Sequence, residues 1–273
     1  MTDTTTTETI EAAPAAEAAP AETKPYYPES AMAIVAHPDD VEFSCSGTLA
    51  LWAKHGARIS LVLVTSGDVG IARGDITRQK AAEIRETEAT AAAHIIGAAE
   101  IRFLREPDGS VEATLALRRK LVREIRRFRP EVIITGDPTV VWAGDNYINH
   151  PDHRAVALAT VDAVFPAAGQ PHVFEDLAAE GLEAHKVRKV YVNNWRDGNL
   201  WVDISDTIDI KVGSLKAHAS QMGGWDVEKN IKEWAADRAK DHGMNYAEIF
   251  RVVTLESDED WEKYKGANLD RER

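Results

Sequence analysis

A single cysteine, Cys45, leaves no internal disulfide to form and no thiol partner for a sulfur-rich metal site. That suits a reducing compartment, and a cytoplasmic location is the expectation. Basic charge is outnumbered, with 32 Lys and Arg against 45 Asp and Glu and a formal charge of -13. A chain of this balance lacks the cation surplus needed to grip a nucleic-acid backbone, so no nucleic-acid partner is expected. The basic group Arg118, Arg119, Lys120, Arg123, Arg126, Arg127 and Arg129 reads as the solvated face of a helix. No Lys or Arg precedes Lys24 and no apolar segment accompanies it, so both halves of a signal peptide are missing. No window approaches the roughly 20 apolar residues that span a bilayer, and no membrane partner is expected. Gly-x-Gly-x-x-Gly is missing after the first strand, which excludes a dinucleotide site, and the absence of Gly-x-Ser-x-Gly excludes the common serine hydrolase.

What is present sorts into three parts. Residues 1–27 are Thr, Ala, Glu and Pro with no aromatic before Tyr26, and such a segment cannot offset its ordering entropy, so a disordered tail is expected. From residue 28 to residue 256 short β-rich runs alternate with helical stretches, the pattern of a parallel sheet covered by helices. Strands are expected at 32–36, 58–65, 101–104 and 132–135, with 189–193, 200–204 and 248–255 extending the sheet. Helices are expected at 47–55, 77–96, 115–128, 151–161, 208–221 and 227–242. Gly56 and Gly97 serve as left-handed stops and Pro130 as a breaker. The fold class is therefore α/β: one Rossmann-like domain with a mostly parallel sheet flanked by helices and additional C-terminal strands and helices. Residues 257–273 are strongly charged and are expected to fray.

Two short motifs carry the chemistry, His37-Pro38-Asp39-Asp40 and His150-Pro151-Asp152-His153. The first follows an apolar strand directly, and in open α/β sheets ligands collect at the carboxyl ends of strands. Pro38 keeps His37 out of helical geometry, so the imidazole and the two carboxylates fan out at that edge. The second follows the strand at 132–135 through a loop, with Pro151 suited to the first position of a helix. Both motifs emerge at one end of the sheet. Together they offer enough imidazole and carboxylate for three metal ligands with an open position, as a catalytic site needs, plus groups for proton transfer. Such a metal lowers the pKa of water from about 16 to roughly 7 and polarises a carbonyl oxygen.

Ala36-His37-Pro38-Asp39-Asp40-Val41-Glu42, the small-residue run 44–48 and Tyr147-Ile148-Asn149-His150-Pro151-Asp152-His153 resemble the LmbE/PIG-L family of zinc-dependent N-deacetylases. Thr65-Ser66-Gly67-Asp68, Arg85-Glu86 with Gly97, Ala217-His218-Ala219-Ser220-Gln221 and Tyr246-Ala247-Glu248 match in family order, so the resemblance covers roughly residues 31–254. It implies removal of an acetyl group from an N-acetylated amino sugar or its conjugate. It further implies that His37, Asp40 and His153 hold the metal, Asp39 is the general base, and His150 stabilises the oxyanion as imidazolium or serves as acid. Asp152 matches a carboxylate that orients a metal-bound imidazole. The implied metal is Zn2+, with Fe2+ able to replace it because ligand type alone does not choose between them. The partner implied is a small amino-sugar conjugate, and relatives commonly associate, which makes a homo-oligomer compatible with the family. The chain departs from the pattern at Asp68, where members often carry Glu, and at Val41, where many carry Glu.

Plainer readings stand beside these. Asp39 could simply cap the following turn. Tyr147 is either a packed loop residue or a group near substrate. Asp68 and Arg73 are either turn residues or binders of substrate hydroxyls, and Asp108 before Gly109 reads first as a turn at the active edge. Trp142 is placed near a ligand, and His218 on a helix packing face. The competing functions are an amidase of a sugar-thiol conjugate with the same metal site, a non-haem iron oxygenase with a two-His, one-carboxylate triad, and a non-catalytic sugar-binding module. Selectivity is expected to reside in the loops 69–75, 106–112 and 166–183.

Overall fold

A computed structural model describes residues 25–71, 73–194 and 196–269. The chain begins with β1 (Ser30–Val35), whose six residues are all buried. Its side chains alternate: Ala31, Ala33 and Val35 enter the core on one face of the sheet, Met32 and Ile34 the core on the other. A strand covered on both faces reads as a continuous apolar run, as this one does. Two short helices follow, α1 (Asp40–Ser44) and α2 (Ser46–Lys54), then β2 (Arg58–Thr65), α3 (Arg78–Ile96), β3 (Glu100–Glu106), α4 (Leu115–Phe128) and β4 (Val132–Thr135). Thr77 and Thr114 cap α3 and α4 by accepting the backbone N–H of Lys80 and Leu117, and Gly97 ends α3 at φ 86°.

Beyond β4 come α5 (Pro151–Asp162), which runs into a π-helical turn at Ala163–Ala168, α6 (Asp176–Ala179), β5 (Lys189–Asn193) and β6 (Leu200–Asp203). The chain then forms α7 (Ile208–Lys216), α8 (Ala219–Met222), α9 (Val227–Ala239), β7 (Ala247–Thr254) and α10 (Asp258–Leu269). Among the described residues the sheet has seven strands in the order β3-β2-β1-β4-β5-β7-β6. β1 to β5 are parallel, while β7 inserts antiparallel between β5 and β6. This is the expected α/β architecture. Because β1 and β4 are neighbours, the strand preceding each His-Pro-Asp motif ends at the same edge, and the order changes direction there.

Three expectations need correction. The tail after Ser257 was expected to fray, yet α10 is a docked helix with Trp261 only 4% exposed. Ser257 and Asp260 form a reciprocal cap, the Asp260 N–H donating to Ser257 Oγ and that hydroxyl to Asp260 Oδ2. Three acidic residues in the first turn also suit the positive end of the helix dipole. The N-terminal tail was expected to reach residue 27. Residues 1–24 lie outside the described residues, but Tyr26 donates to Glu131 Oε1 at 2.6 Å and Tyr27 stacks on His55 at 3.8 Å. The single helix expected at 208–221 breaks into α7 and α8 around His218, which adopts φ -81°, ψ 54° and buries its ring. None of the described helices is long and apolar enough to cross a membrane.

Candidate metal centre

The first motif turns sharply as β1 ends. The Asp40 N–H donates to His37 O at 3.3 Å and Asp40 Oδ2 accepts the His37 N–H at 2.7 Å, which closes the turn on itself. Asp39 is forced to φ 89°, a left-handed conformation that costs a non-glycine residue free energy. At the second motif Pro151 occupies the start of α5, where its missing N–H costs nothing. His150 caps that helix, its Nδ1 accepting the Asp152 N–H at 3.2 Å.

The two turns bring His37, Asp40 and His153 together. His37 Nδ1 lies 3.2 Å from His153 Nε2, His153 Nε2 lies 3.1 Å from Asp40 Oδ1, and His37 Nδ1 lies 3.5 Å from Asp40 Oδ2. One donor atom from each lies within 4.8 Å of the others. The far side of each ring is fixed. His37 Nε2 meets Asp108 Oδ1 at 3.2 Å and Asp152 Oδ2 at 3.3 Å, and His153 Nδ1 meets Asn149 Oδ1 at 3.1 Å. An outer partner on each imidazole, with the inner nitrogens converging beside a carboxylate, is the donor set of a divalent metal. The residues fit such an ion. His37, His150 and Asp152 also lie within 4.8 Å of one another. Asp152, however, is committed to the protein, accepting from Gly109 N at 2.7 Å and Val111 N at 3.1 Å.

The charge balance points the same way. Burial opposes protonation of His37, but Asp108 and Asp40 outweigh it and hold the imidazole up at about 10. Burial likewise opposes ionisation of Asp40, yet His153 and His37 keep its carboxyl well below the usual carboxylate range. His153 is raised because Asp40 overcomes its own burial. Three carboxylates therefore surround His37 and demand positive charge in the middle. A proton supplies it in the metal-free protein, and a divalent cation would displace that proton on binding.

Beside this cluster stand Asp39 and His150, the two residues expected to take part in proton transfer. Arg85, from α3, donates to Asp39 Oδ2 at 3.0 Å and also to Pro38 O. Burial pushes the Asp39 carboxyl up to about 7, Arg85 partly opposing and Asp40 reinforcing the rise, which places it where a general base works well near neutral pH. His150 is 40% exposed along its side chain, and its ring meets His37 edge-on at 4.9 Å. Its Nδ1 already accepts a backbone N–H, while burial and the positive His37 hold its pKa down. The neutral tautomer therefore carries its proton on Nε2, whereas the family resemblance implies an imidazolium.

The remaining expected site residues divide. Asp108 and Asp152 act on His37. Tyr147 lines the cavity that reaches Asp40 and His153, although the residue is 54% exposed. Asp68 pairs with Arg78 at 2.7 Å and Arg73 with Asp75 at 3.1 Å, both outside the cluster around His37. Trp142 is 66% exposed on the hairpin opposite Ile148, and the cavity is bordered by its neighbour Ala143 instead. His218 is fully buried against Glu42 Oε2 at 3.2 Å. Arg85 was not among the expected site residues, although a signal existed: it interrupts the buried stripe Ala81, Ala89, Ala92, Ala93, Ile96 of α3 with a charge.

Residues 32–164 match the family described as PIG-L: GlcNAc-PI de-N-acetylase. The chain is 29% identical over 225 residues to diacetylchitobiose deacetylase of Thermococcus kodakarensis, covering 81% of this chain and 82% of that protein. It is 27% identical over 193 residues to the probable N-acetyl-alpha-D-glucosaminyl L-malate deacetylase 2 of Bacillus anthracis, covering 68% and 78%. Its fold superposes on N,N'-diacetylchitobiose deacetylase of Pyrococcus horikoshii with a TM-score of 0.75 at 23% identity, covering 83% of this chain and 84% of the other. The matched segment contains both His-Pro-Asp motifs and every residue of the cluster just described, so the similarity to the PIG-L (LmbE-like) family is carried by the site itself.

Proposed function

We propose that this protein is a zinc-dependent N-deacetylase that hydrolyses the acetamide of an amino-sugar conjugate. The observation that carries the reading is the convergence of His37 Nδ1, Asp40 and His153 Nε2, with Asp39 and His150 flanking them. A divalent ion held by those three residues would polarise the amide carbonyl and acidify water. Zinc suits the two imidazoles and one carboxylate, and iron could take its place. The single buried cysteine suits a reducing cytoplasm.

The protein's own groups then divide the proton work. Asp39 takes a proton from the attacking water while Arg85 holds its other oxygen and fixes the direction of attack. His150 donates its Nε2–H to the oxygen on which negative charge develops, as a neutral imidazole kept in that tautomer by the Asp152 N–H. As the C–N bond breaks, the proton on Asp39 passes to the departing amine, so one water is consumed and an acetate and an amine are released. Asp108 and Asp152 hold the His37 ring through both stages.

The test is acetate release from N-acetylglucosamine, diacetylchitobiose and glycosidic conjugates, with and without chelator. Asp39→Asn should retain its metal by elemental analysis and lose activity on the order of 10²- to 10⁴-fold. Near-full activity in that variant would remove Asp39 from the base role. An absence of chelator-sensitive acetate release across the panel would favour a sugar-binding module or a different amide substrate.

A further inference from the structure

A cavity of about 310 Å³ runs from Asp40 and His153 past Phe43 to the ends of β5 and β7's helical cover, where Arg238 of α9 enters its wall. Most polar groups around it are already matched. Asp137 accepts from Asn194 Nδ2, from Thr139 Oγ1 and from the Thr139 N–H, and Asn193 donates to Ser44 O. Asp40 is committed to His37 and His153. Among the charged groups Arg238 is the exception, and the buried Thr135 hydroxyl on the same cavity is unpaired as well. Among the described residues no hydrogen bond or ion pair holds its guanidinium; Glu248 and Asp237 influence it only at longer range.

Other sheltered arginines show how unusual this is. Arg126 is 2% exposed, and five backbone carbonyls, those of Ala167, Ala168, Phe174, Gln170 and Val173, accept from it. Arg85 holds Asp39 and Pro38 O, and Arg188 holds Glu131 and Asp258. Glu248, the carboxylate that could neutralise Arg238, is taken by Lys211 Nζ at 2.7 Å and by the N–H groups of Gly47 and Thr48. Sheltering a guanidinium without an anion costs free energy that a bound anion would recover.

We propose that Arg238 is a specificity-determining residue: the substrate carries an anionic group, a carboxylate or a phosphate, that enters this cavity and pairs with its guanidinium. The inference rests on the deacetylase reading and narrows its substrate class to acidic amino-sugar conjugates. A planar fork of donors in a cavity of this size suits a two-oxygen anion on a short substituent. Because the contact lies away from the reacting amide and is made before and during the reaction, it should act on KM more than on kcat.

The experiment compares three substrates of one amino sugar: neutral diacetylchitobiose, an N-acetylglucosaminyl glycoside of a hydroxy-dicarboxylic acid, and an N-acetylglucosamine phosphate. Arg238→Met should raise KM for the acidic substrate by about ten- to a hundredfold, leave kcat/KM on the neutral one within about twofold, and recover in part in Arg238→Lys. The carboxylate and phosphate arms show which anion is preferred. Equal loss on neutral and acidic substrates, or no loss on either, overturns the proposal. A second readout does not depend on turnover: thermal unfolding of dialysed, metal-free protein with L-malate, inorganic phosphate or neutral inositol. An upward shift with one of the anions, lost in Arg238→Met, supports the site even if no acetate is ever released. No such shift with either anion overturns it even if the protein proves to be a deacetylase.

Discussion

Two buried polar clusters sit on either side of α1, and they are built on opposite principles. One is the group around His37, where Asp40, Asp108 and Asp152 crowd a single imidazole. The other joins α1, α2, α7 and β7: Lys211 is 1% exposed and Glu248 0%, paired at 2.7 Å, with Glu42 O also accepting from Lys211 and two backbone N–H groups donating to Glu248. In the second cluster the cation meets an anion, and both are held further by backbone groups, Lys211 by the Glu42 and Phe43 carbonyls and Glu248 by the Gly47 and Thr48 N–H groups. In the first, carboxylate exceeds cation and the surplus is met by a proton on His37. The difference separates a polar core that closes on itself from one that waits for a ligand. Neutralising a charge should therefore damage fold in one cluster and metal affinity in the other.

The largest effect falls on the closed cluster. Lys211→Met leaves Glu248 buried with a charge it cannot pair and should cost about 3–5 kcal/mol of stability, read as a drop in the urea midpoint. Metal content of the folded fraction should be unchanged. Should the variant instead unfold normally but lose its metal, the two clusters are not separable and the comparison fails.

A third buried polar site, under α10, closes without charge. His185 is 4% exposed; its Nε2–H donates to Pro130 O at 2.8 Å and its Nδ1 accepts from the Tyr264 hydroxyl at 3.2 Å. Burial pulls its pKa down to about 4, below the ordinary value of 6.5. The unfolded chain then binds a proton before the folded one does. The stability contributed by neutral His185 is complete above about pH 6.5 and is lost as the pH falls towards about 4, by an amount on the order of 3 kcal/mol. His185→Gln keeps a donor and an acceptor without titrating, so the difference between its unfolding free energy and that of the wild type should vary across this window and be flat above it. A constant difference from pH 4 to 7 would show that His185 does not hold α10 as a neutral ring.

On the open cluster the expected losses are smaller and of another kind. Asp108→Asn keeps an acceptor for the Val69 N–H, now at 2.9 Å from Asp108 Oδ2, but removes charge behind His37. Metal affinity should fall by about 10- to 100-fold, while metal-free stability stays within about 1 kcal/mol because Asp40 and Asp152 still face the ring. Competition against a metal-sensitive dye measures the first and urea unfolding the second. A destabilisation as large as that of Lys211→Met would mean the His37 cluster is structural after all.

How far these clusters can be read from sequence depends on whether local pattern or distant packing makes them. The parallel strands are legible because alternating burial on two faces leaves apolar runs, and the His-Pro-Asp turns because proline and the strand ends constrain them locally. The reciprocal cap Ser257–Asp260 was equally local, but a charged composition masked it. Asp108 resembled an ordinary turn, since its contact with His37 joins residues 71 positions apart. Arg85 was marked by a charge on a buried helical stripe, whereas Arg238 carries no such mark: its role depends on Glu248 having been claimed by Lys211, which no local pattern reveals.

The smallest effect tests whether packing alone aims the base. Arg85 reaches Asp39 beneath the turn after β2, where glycines leave it room: a Cβ built on Gly70 would lie 2.2 Å from Arg85 Nη1, and one on Gly67 2.8 Å from its Cζ. Gly74, in the same loop, has nothing within 4 Å of such a Cβ. Gly70→Ala should therefore displace the guanidinium from Asp39 without touching His37, Asp40 or His153. Misplacing a reacting group by 1 Å can cost about 10²-fold, but an arginine tip can yield part of that, so a fall in kcat of about three- to tenfold is expected. Metal content should stay at the wild-type level, and Gly74→Ala should behave as wild type. Unchanged kcat in Gly70→Ala would mean that the αL turn at Asp39, rather than Arg85, sets the direction of its carboxylate. Loss of metal would mean that Arg85 supports the open cluster as a whole, which would move it from the proton-transfer machinery into the scaffold.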